Sequence, residues 1–310
     1  MQYKALWATD FRYLNDAREL NYAWKPFVKS LKRRSSELGE YSEAYAAQLR
    51  ALKLMGAVDL LGLDDSVYVA CFTELKDALS QWSRYGANGY GIALGFDSEA
   101  IRSLDVPQFY HSNEGDLIDA TAQAHFDNGA YETRPLTAKG FLRKVGYGKK
   151  YRDQVVTGLL QNVEQNGGKN GSASLDHKTG NSVFQTSAWI YRIALAKHKS
   201  FSDEKEHRIT VTEHLGGRSL GQLNALSSLG SPFADLARAP LVTPDVRFRS
   251  GGPMMFKPYV VLSFSPAALV KVVTGPSIKH QLVKATIRRI LDRNGFRHTE
   301  ISSSKLPYQT

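Results

Sequence analysis

The sequence predicts an α/β or α+β protein in which a twisted sheet of mixed strand direction is flanked by helices. Short β-rich runs and amphipathic helical patterns alternate along the chain, as expected for a mixed class. The clearest β-rich runs are VYVACFTE (67–74), GYGIALGFD (89–97), YVVLSFS (259–265) and LVKVVTG (269–275). No internal repeat is visible in the sequence, and we expect residues 1–310 to form a single domain.

Two helices are expected before the first of these strands. Asn15 or Asp16 can cap a helix that runs from Ala17 towards Leu31, with Glu19 near its positive end. Pro26 is expected to kink or end this helix, because proline lacks the amide hydrogen that a helix interior needs. The second helix, over residues 41–55, is predicted by apolar side chains at helical spacing, namely Tyr45, Leu49, Leu52 and Met55.

The helices and strands in the middle of the chain are predicted from shorter sequence patterns. Residues 77–86 are expected to form a helix closed by glycine, and short strands are expected over 106–110 and 142–147. The polar stretch between those strands is expected to be helical. Residues 164–181 are rich in Gly, Asn and Ser, which predicts a flexible loop inserted within the domain.

The last part of the chain completes the pattern. A helix is expected from Phe184 to Ala196, and the alternating run HRITVTE predicts a strand that begins near Glu204. Ser277 is expected to cap a final amphipathic helix that Gly295 ends. The apolar face of this helix holds Leu282, Val283, Ile287, Ile290 and Leu291. Because its basic residues surround that face, a solvated helix explains them better than nucleic-acid contact.

The composition is that of a globular protein of 310 residues, 42% apolar and 23% charged. No apolar run reaches the roughly 18 residues that a membrane-spanning helix needs, so no membrane partner is expected. Cys71 is the only cysteine, which excludes an internal disulfide and fits a cytoplasmic location. The net charge of +10 favours a nucleic-acid partner, DNA or RNA.

Two carboxylates and an arginine in the run KSFSDEKEHRI form the first candidate site. In a strand that begins near Glu204, the side chains of Glu204, Glu206 and Arg208 project from one face. Adjacent carboxylates repel each other unless cations or hydroxyl donors compensate them, and such pairs are often functional. The competing interpretation is a solvated strand entrance in which Lys205 and Arg208 balance the acids. The residues alone favour that structural interpretation.

Three other candidates carry less weight. The polar residues His198, Asp203, Glu206, His207 and His214 lie close together in the sequence. They show no recognised metal-ligand spacing, so no metal is predicted. Cys71 within VYVACF is more typical of a buried core residue than of a nucleophile. The run GYGIALGF lacks the strand–turn–helix context and the Lys-Ser/Thr pair of a phosphate loop.

Six motifs in a fixed order are distributed over nearly the whole length of the chain. They are FRYLNDAREL, CFTELKDALSQWSRYG, GYGIALGFD, KHKSFSDEKEHRI, GP and SSSKLPYQT. This ordered set resembles the bacterial family known as domain of unknown function two-nine-seven-one, for which the LND-x-x-E and W-x-x-Y-G elements are specific. Some members of that family are implicated in phage defence.

The order of these motifs is also similar to a minimal ADP-ribosyltransferase fold, which cleaves NAD at the nicotinamide ribose. On this resemblance EKE matches the E/Q-x-E element, with Glu206 as the catalytic glutamate and Glu204 as its partner. One carboxylate would stabilise the oxocarbenium-like ribose, and the other would polarise the incoming nucleophile. The resemblance further implies a set of residues that contact NAD: Thr73, Tyr85, Trp82, Arg12, Asn15 and Asp16.

The resemblance implies a cytoplasmic, NAD-dependent toxin or phage-defence effector that modifies nucleic acid, with an antitoxin or immunity partner. Family members usually carry a Y-H-Y-T strand before the equivalent of Leu6, whereas this sequence begins with Met1, Gln2 and Tyr3. Either the start of this sequence has been placed too late, or this copy lacks the His or Arg of that strand, which would anchor NAD. The alternative functions are a non-catalytic nucleic-acid-binding or regulatory module and, ranked last, a metal-dependent nuclease.

Overall fold

The protein has an α+β fold, as the sequence predicts, built from one large antiparallel sheet, smaller sheets and helices. The computed structural model describes residues 4–14, 19–54, 66–111, 117–119, 121–125, 131–135, 137–167, 189–212, 242–251 and 255–307. The helices are α1 (Asn21–Ser36), α2 (Ser42–Leu54), α3 (Leu79–Tyr85), α4 (Gly148–Gly167) and α5 (Gln281–Arg293). No helix among the described residues is long and apolar enough to cross a bilayer.

The strands form four sheets among the described residues. In chain order they are β1 (Ala5–Asp10), β2 (Val67–Thr73), β3 (Ile92–Phe96), β4 (Ser103–His111), β5 (Leu117–Asp119), β6 (Thr121–His125), β7 (Tyr131–Pro135), β8 (Thr137–Lys144), β9 (Gly146–Tyr147), β10 (Ala196–Lys197), β11 (Glu206–Thr212), β12 (Val242–Pro244), β13 (Arg247–Ser250), β14 (Phe256–Ser263), β15 (Leu269–Thr274) and β16 (Glu300–Ser303). The large sheet has the order β12-β4-β8-β11-β2-β1-β14-β13, with β5 paired to β4.

The strand direction differs from the prediction of a mixed sheet. Every recorded pairing within the large sheet is antiparallel. Parallel pairing occurs between β9 and β10 and between β15 and β16. Antiparallel neighbours that are distant in sequence, such as β1 and β14, leave no local signal of strand direction.

The large sheet is covered on both faces because successive side chains of each strand point to opposite sides. Val67 and Val69 of β2 join a buried cluster formed with α1, α2 and α4. Tyr68 and Ala70 of the same strand join a second cluster, which includes residues of β11, β15 and α5. Burial on both faces explains why the first four residues of β2, VYVA, are apolar instead of alternating.

A cleft opens where β1 and β2 separate. The recorded pairing of these two strands ends at Thr9–Val69. By contrast, β1 remains paired with β14 as far as Ala5–Ser263, and β2 remains paired with β11 as far as Thr73–Glu206. The edges of β1 and β2 beyond Thr9 and Val69 therefore face each other across a gap, and this gap lies in the middle of the sheet.

Several predicted elements are confirmed. The elements within a few residues of their predicted positions are helices α2 and α3 and strands β2, β3, β14 and β15. The final helix is present and ends before Gly295, which has a positive φ of 82°. Its cap is His280, whose Nδ1 accepts from the amide of Leu282, so the prediction of Ser277 as the cap is wrong.

The first helix was predicted too early and too short. It begins at Asn21, follows Leu20 without a side-chain cap, and continues through Pro26 to Ser36. Burial of Trp24 and Phe27 on the core face compensates for the hydrogen bond that Pro26 cannot make. The predicted caps Asn15 and Asp16 lie outside the described residues.

Other boundary predictions are wrong in the middle of the chain. The described parts of the polar stretch after β4 form β5, β6, β7 and β8, where a helix was expected. Residues 164–167 belong to α4 and not to a loop, while 168–181 lie outside the described residues. The helix expected over 184–196 is described as helical at 189–193, and residues 196–197 form β10.

A close approach of two loops at Gly275 gives a stability prediction. The Gly275 amide donates to the Gly91 carbonyl (2.9 Å) and the Ser277 amide donates to the Gly89 carbonyl (3.1 Å). A Cβ atom at position 275 would lie 2.1 Å from the Gly89 oxygen. Gly275→Ala is therefore expected to lower the free energy of unfolding by about 2 kcal/mol or more, measured by urea denaturation.

The control for this change is Gly39→Ala, because a Cβ at Gly39 would meet no atom within 4 Å. The Gly39 variant is expected to unfold with nearly the wild-type midpoint. Equal midpoints for the two variants would show that the loops at Gly275 can separate without cost.

Candidate functional site

The gap between β1 and β2 opens into a cavity of about 1790 Å³, which we call the cleft. Its lining includes residues of β1, β2, β11, β13, β14 and α3, among them Trp7, Thr9, Cys71, Thr73, Tyr85, Glu206 and Arg249, and it extends to residues of β3, β15 and β16. Ligand pockets for small molecules usually enclose roughly 300–1,000 Å³. The cleft is therefore large enough for a dinucleotide together with part of a second molecule.

A lysine at one end of the cleft contacts three carboxylates. The Lys197 Nζ lies 3.0 Å from Glu19 Oε1, 2.6 Å from Glu204 Oε2 and 2.8 Å from Glu206 Oε2. All four side chains are at least nine-tenths buried. The ammonium group also lies 5.0 Å from the centre of the Phe201 ring. One buried cation therefore joins Glu204 and Glu206, which are neighbours in the sequence, to the distant Glu19.

Arg208 completes this cluster; it lies two residues after Glu206 on the same face of β11. Its Nε donates to Glu206 Oε1 (2.7 Å), and its Nη2 donates to Glu19 Oε1 (2.8 Å) and Glu206 Oε2 (3.1 Å). Its Nη1 donates to the Ala194 carbonyl at 2.5 Å. We call Glu19, Lys197, Glu204, Glu206 and Arg208 the buried charge cluster; the formal charges of these five residues sum to −1.

The backbone at Lys205 brings the two carboxylates of EKE together. Glu204 is the last residue of a 3-10 helix (Lys199–Glu204), and Lys205 adopts a left-handed conformation with φ 43° and ψ 52°. Strand β11 then begins at Glu206. The prediction that Glu204 lies in the strand is therefore wrong, although its carboxylate still lies beside that of Glu206. The solvated-entrance interpretation is also wrong, because each glutamate is only 5% exposed.

The cluster keeps Glu206 ionised. Burial raises the pKa of this carboxyl, but Arg208 and Lys197 outweigh burial, so the pKa lies below the ordinary 4.5. Burial alone would lower the pKa of Lys197, yet the carboxylates of Glu206 and Glu19 raise it above its ordinary value. Glu206 is therefore an anion and Lys197 a cation at neutral pH.

The solvent side of the cluster is formed by helix α3. Arg84 Nη1 and the Tyr85 hydroxyl both donate to Glu204 Oε1, at 3.2 and 3.1 Å. Arg84 also pairs with Asp203 at 3.2 Å. Partial burial and the negative charge of Glu204 raise the pKa of Tyr85 to about 12, so its hydroxyl remains a proton donor at neutral pH. Tyr85 is 56% exposed and forms part of the cleft wall.

Strand β2 contributes a threonine and the single cysteine. The Thr73 hydroxyl donates to the Glu204 carbonyl (2.7 Å) and accepts from the Leu75 amide (3.1 Å), so it fixes the turn before β11. Cys71 reaches the cleft surface, and the prediction of a buried core residue is wrong. Surrounding protein atoms and then Glu206 raise the pKa of its thiol. A thiol held protonated in this way is a poor nucleophile.

The structure brings together only part of the predicted NAD-contact set. Thr73 and Tyr85 line the cleft. Trp82 is 3% exposed and its indole nitrogen donates to Asp77 at 2.6 Å, so it stabilises the loop beneath α3. Arg12 pairs with the buried Asp10 at 2.6 Å and is not among the described cleft-lining residues. Asn15 and Asp16 lie outside the described residues.

Sequence reasoning missed two members of the cluster. Glu19 was interpreted as a residue near the helix terminus, whereas it contacts Lys197 and Arg208. Lys197 was one residue of a motif without an assigned role. A signal for Lys197 was its position directly after the apolar run IALA, because a lysine that follows a buried segment needs acidic partners. Of the described residues, no group of three or more His, Cys, Asp or Glu is arranged to hold a metal ion.

The left-handed Lys205 gives a second stability prediction. Glycine adopts positive φ without the steric cost that other residues carry. Lys205→Gly is therefore expected to be more stable than Lys205→Ala by about 1 kcal/mol, measured by urea denaturation. The side chain of Lys205 is exposed, so both variants lose the same surface charge and differ only in backbone freedom. An alanine variant as stable as the glycine variant would contradict strain at this turn.

Comparison with known proteins supports the family resemblance over part of the chain. Residues 81–209 match the model of a family described as Protein of unknown function (DUF2971). The matched region contains Tyr85, Lys197, Glu204, Glu206 and Arg208, and so most of the buried charge cluster. No curated protein and no solved structure matches the chain.

Proposed function

We propose that this protein is an NAD-dependent ADP-ribosyltransferase and that the cleft between β1 and β2 binds NAD. The observation that carries the proposal is the position of Glu204 and Glu206, two buried carboxylates side by side at one end of a large cleft. A fixed, ionised carboxylate stabilises positive charge that develops on a substrate far better when water is excluded from it.

The reaction breaks the bond between the nicotinamide nitrogen and ribose C1′. Nicotinamide leaves with the bonding electrons, and the ribose becomes an oxocarbenium-like cation. Glu206 stabilises this cation by accepting a hydrogen bond from a ribose hydroxyl, which takes the place of the Lys197 contact to Oε2 (2.8 Å). Lys197 retains its contacts to Glu19 and Glu204 in that arrangement.

The nucleophile completes the transfer. It forms the new bond to C1′ and gives up its proton, and Glu204 is the base placed to accept that proton. The Tyr85 and Arg84 side chains orient Glu204 from the solvent side. The net charge of +10 favours a nucleic acid as the acceptor.

Radiolabelled NAD tests the proposal directly. The protein is incubated with adenylate-labelled NAD and, in separate reactions, with DNA, RNA or bacterial lysate. Release of nicotinamide and transfer of label to one acceptor class are the expected results. No loss of NAD with any acceptor would overturn the proposal.

One observation favours a second candidate, a binding module without catalysis. Both carboxylate oxygens of Glu206 already accept charged hydrogen bonds, from Arg208 and Lys197, as in a purely structural cluster. This candidate predicts salt-sensitive binding to DNA or RNA and no change in the melting temperature when NAD is added. A thermal shift with NAD therefore separates the two candidates before any reaction is assayed.

A further inference from the structure

A guanidinium group on the opposite wall of the cleft is held in place, and no described carboxylate neutralises it. Arg249 lies on β13, its Nη2 donates to the Thr9 hydroxyl at 2.9 Å, and the group stacks 5.5 Å from the Trp7 ring centre. Its Nε is buried and has no hydrogen-bond partner among the described residues. An unsatisfied buried donor costs free energy unless a ligand satisfies it.

A second cation lies directly across the strand pair. Lys257 on β14 is paired in register with Arg249 on β13, and both side chains line the cleft. The Lys257 ammonium donates a long hydrogen bond of 3.4 Å to the Tyr13 carbonyl. Among the described residues, no carboxylate lies within salt-bridge distance of either cation. Two adjacent, uncompensated cations in a cleft attract an anion.

An aromatic surface adjoins these cations. Trp7 lines the cleft, contacts Tyr259 at 4.7 Å between ring centres, and remains 53% exposed. Exposed aromatic rings next to basic side chains are the usual stacking surfaces for nucleotide bases. The combination therefore fits a ligand that carries both phosphate and an aromatic base.

We propose that Arg249 and Lys257 form a phosphate-binding subsite for a free nucleotide, with its base against Trp7. The identification of this nucleotide as part of NAD rests on the proposed function. The phosphate contacts are inferred independently of that function. Arg249 reaches Thr9 and Trp7 on β1, which is two strands from Glu206 on β11, a separation of at least about 10 Å across the sheet. A dinucleotide spans that separation, with its diphosphate at Arg249 and its nicotinamide ribose at Glu206.

Calorimetric titration with ADP and with adenosine tests the subsite, because the two ligands differ only in the diphosphate. ADP is expected to bind wild-type protein at least tenfold more tightly than adenosine. Arg249→Gln and Lys257→Gln are each expected to weaken ADP binding roughly 10- to 100-fold and to leave adenosine binding unchanged. The control Arg289→Gln removes an exposed charge from α5 and is expected to bind ADP like the wild type.

Three results would overturn the subsite: equal affinities for ADP and adenosine, equal ADP affinities for Arg249→Gln and Arg289→Gln, or Arg249-dependent binding of a short single-stranded DNA without binding of ADP. Arg249→Lys retains the charge and is expected to recover part of the ADP affinity, which separates charge loss from misfolding. Tighter binding of ADP than of adenosine without any cleavage of NAD would rule out the proposed reaction and leave this subsite. An Arg249→Gln variant that cleaves NAD at the wild-type rate would rule out the subsite and leave the proposed reaction.

Discussion

Arg208→Met is expected to lower the free energy of unfolding by about 3–5 kcal/mol, the range for removing one partner of a buried ion pair. Arg208 is 1% exposed and makes four hydrogen bonds, three of them to the carboxylates of Glu19 and Glu206. Methionine fills a similar volume but leaves these acids and the Ala194 carbonyl without their donor. Among the described residues, Lys197 would then be the one cation in contact with both Glu19 and Glu206.

Arg102→Met is the matched control for this prediction. Arg102 pairs with Glu99 at 3.2 Å, but both side chains are about three-quarters exposed. Such a pair contributes less than about 1 kcal/mol, so the control is expected to unfold near the wild-type midpoint in urea. A loss of stability in Arg208→Met that is no larger than in the control would contradict a structural role for the buried charge cluster.

The pH dependence of unfolding gives an independent measure of the same cluster. Because the pKa of Glu206 in the folded protein lies below its ordinary 4.5, this carboxylate contributes stability that is complete above about pH 4.5. That stability is lost as the pH falls through the folded pKa. Arg208→Met lacks the main cause of the lowered pKa and is expected to lose less stability than the wild type on acidification.

The sequence predicted those elements whose signal is local. Strands β2 and β15 were visible as continuous β-rich runs, and α5 was visible from its apolar periodicity. The start of α1 was placed wrongly, because polar residues before Glu19 imitate a cap while Leu20 provides none. The region after β4 was misassigned because β5, β6 and β7 are short and rich in polar residues, so a short sequence window shows no strand periodicity.

The candidate site depends on contacts that no local pattern records. Glu19 and Arg208 meet across 189 positions of the chain, and Arg249 meets Thr9 across 240. The EKE motif correctly marked Glu204 and Glu206 as neighbours, but their convergence on Lys197 requires the left-handed turn at Lys205. Alternation along a strand predicts two side chains on one face; it does not predict that one ammonium group contacts both.

The proposed reaction depends on the charge of Glu206, so removing that charge distinguishes a catalytic role of this residue from a structural one. Glu206→Gln is expected to slow NAD cleavage about 100-fold or more, because the amide keeps the shape of the side chain and loses the charge that stabilises the ribose cation. Glu206→Asp keeps the charge and is expected to retain more activity than the glutamine variant. Turnover is measured as nicotinamide released from NAD.

Two controls separate this effect from a loss of folding. Glu164→Gln alters another ion-paired glutamate, which lies on α4 and pairs with Arg34 of α1 at 2.9 Å. This variant is expected to cleave NAD at the wild-type rate. Glu206→Gln should also keep its ADP affinity, since Arg249 and Lys257 lie on other strands. If the glutamine variant binds ADP and cleaves NAD as fast as the wild type, Glu206 is only a member of a structural charge cluster. In that case the binding module becomes the better description of the cleft.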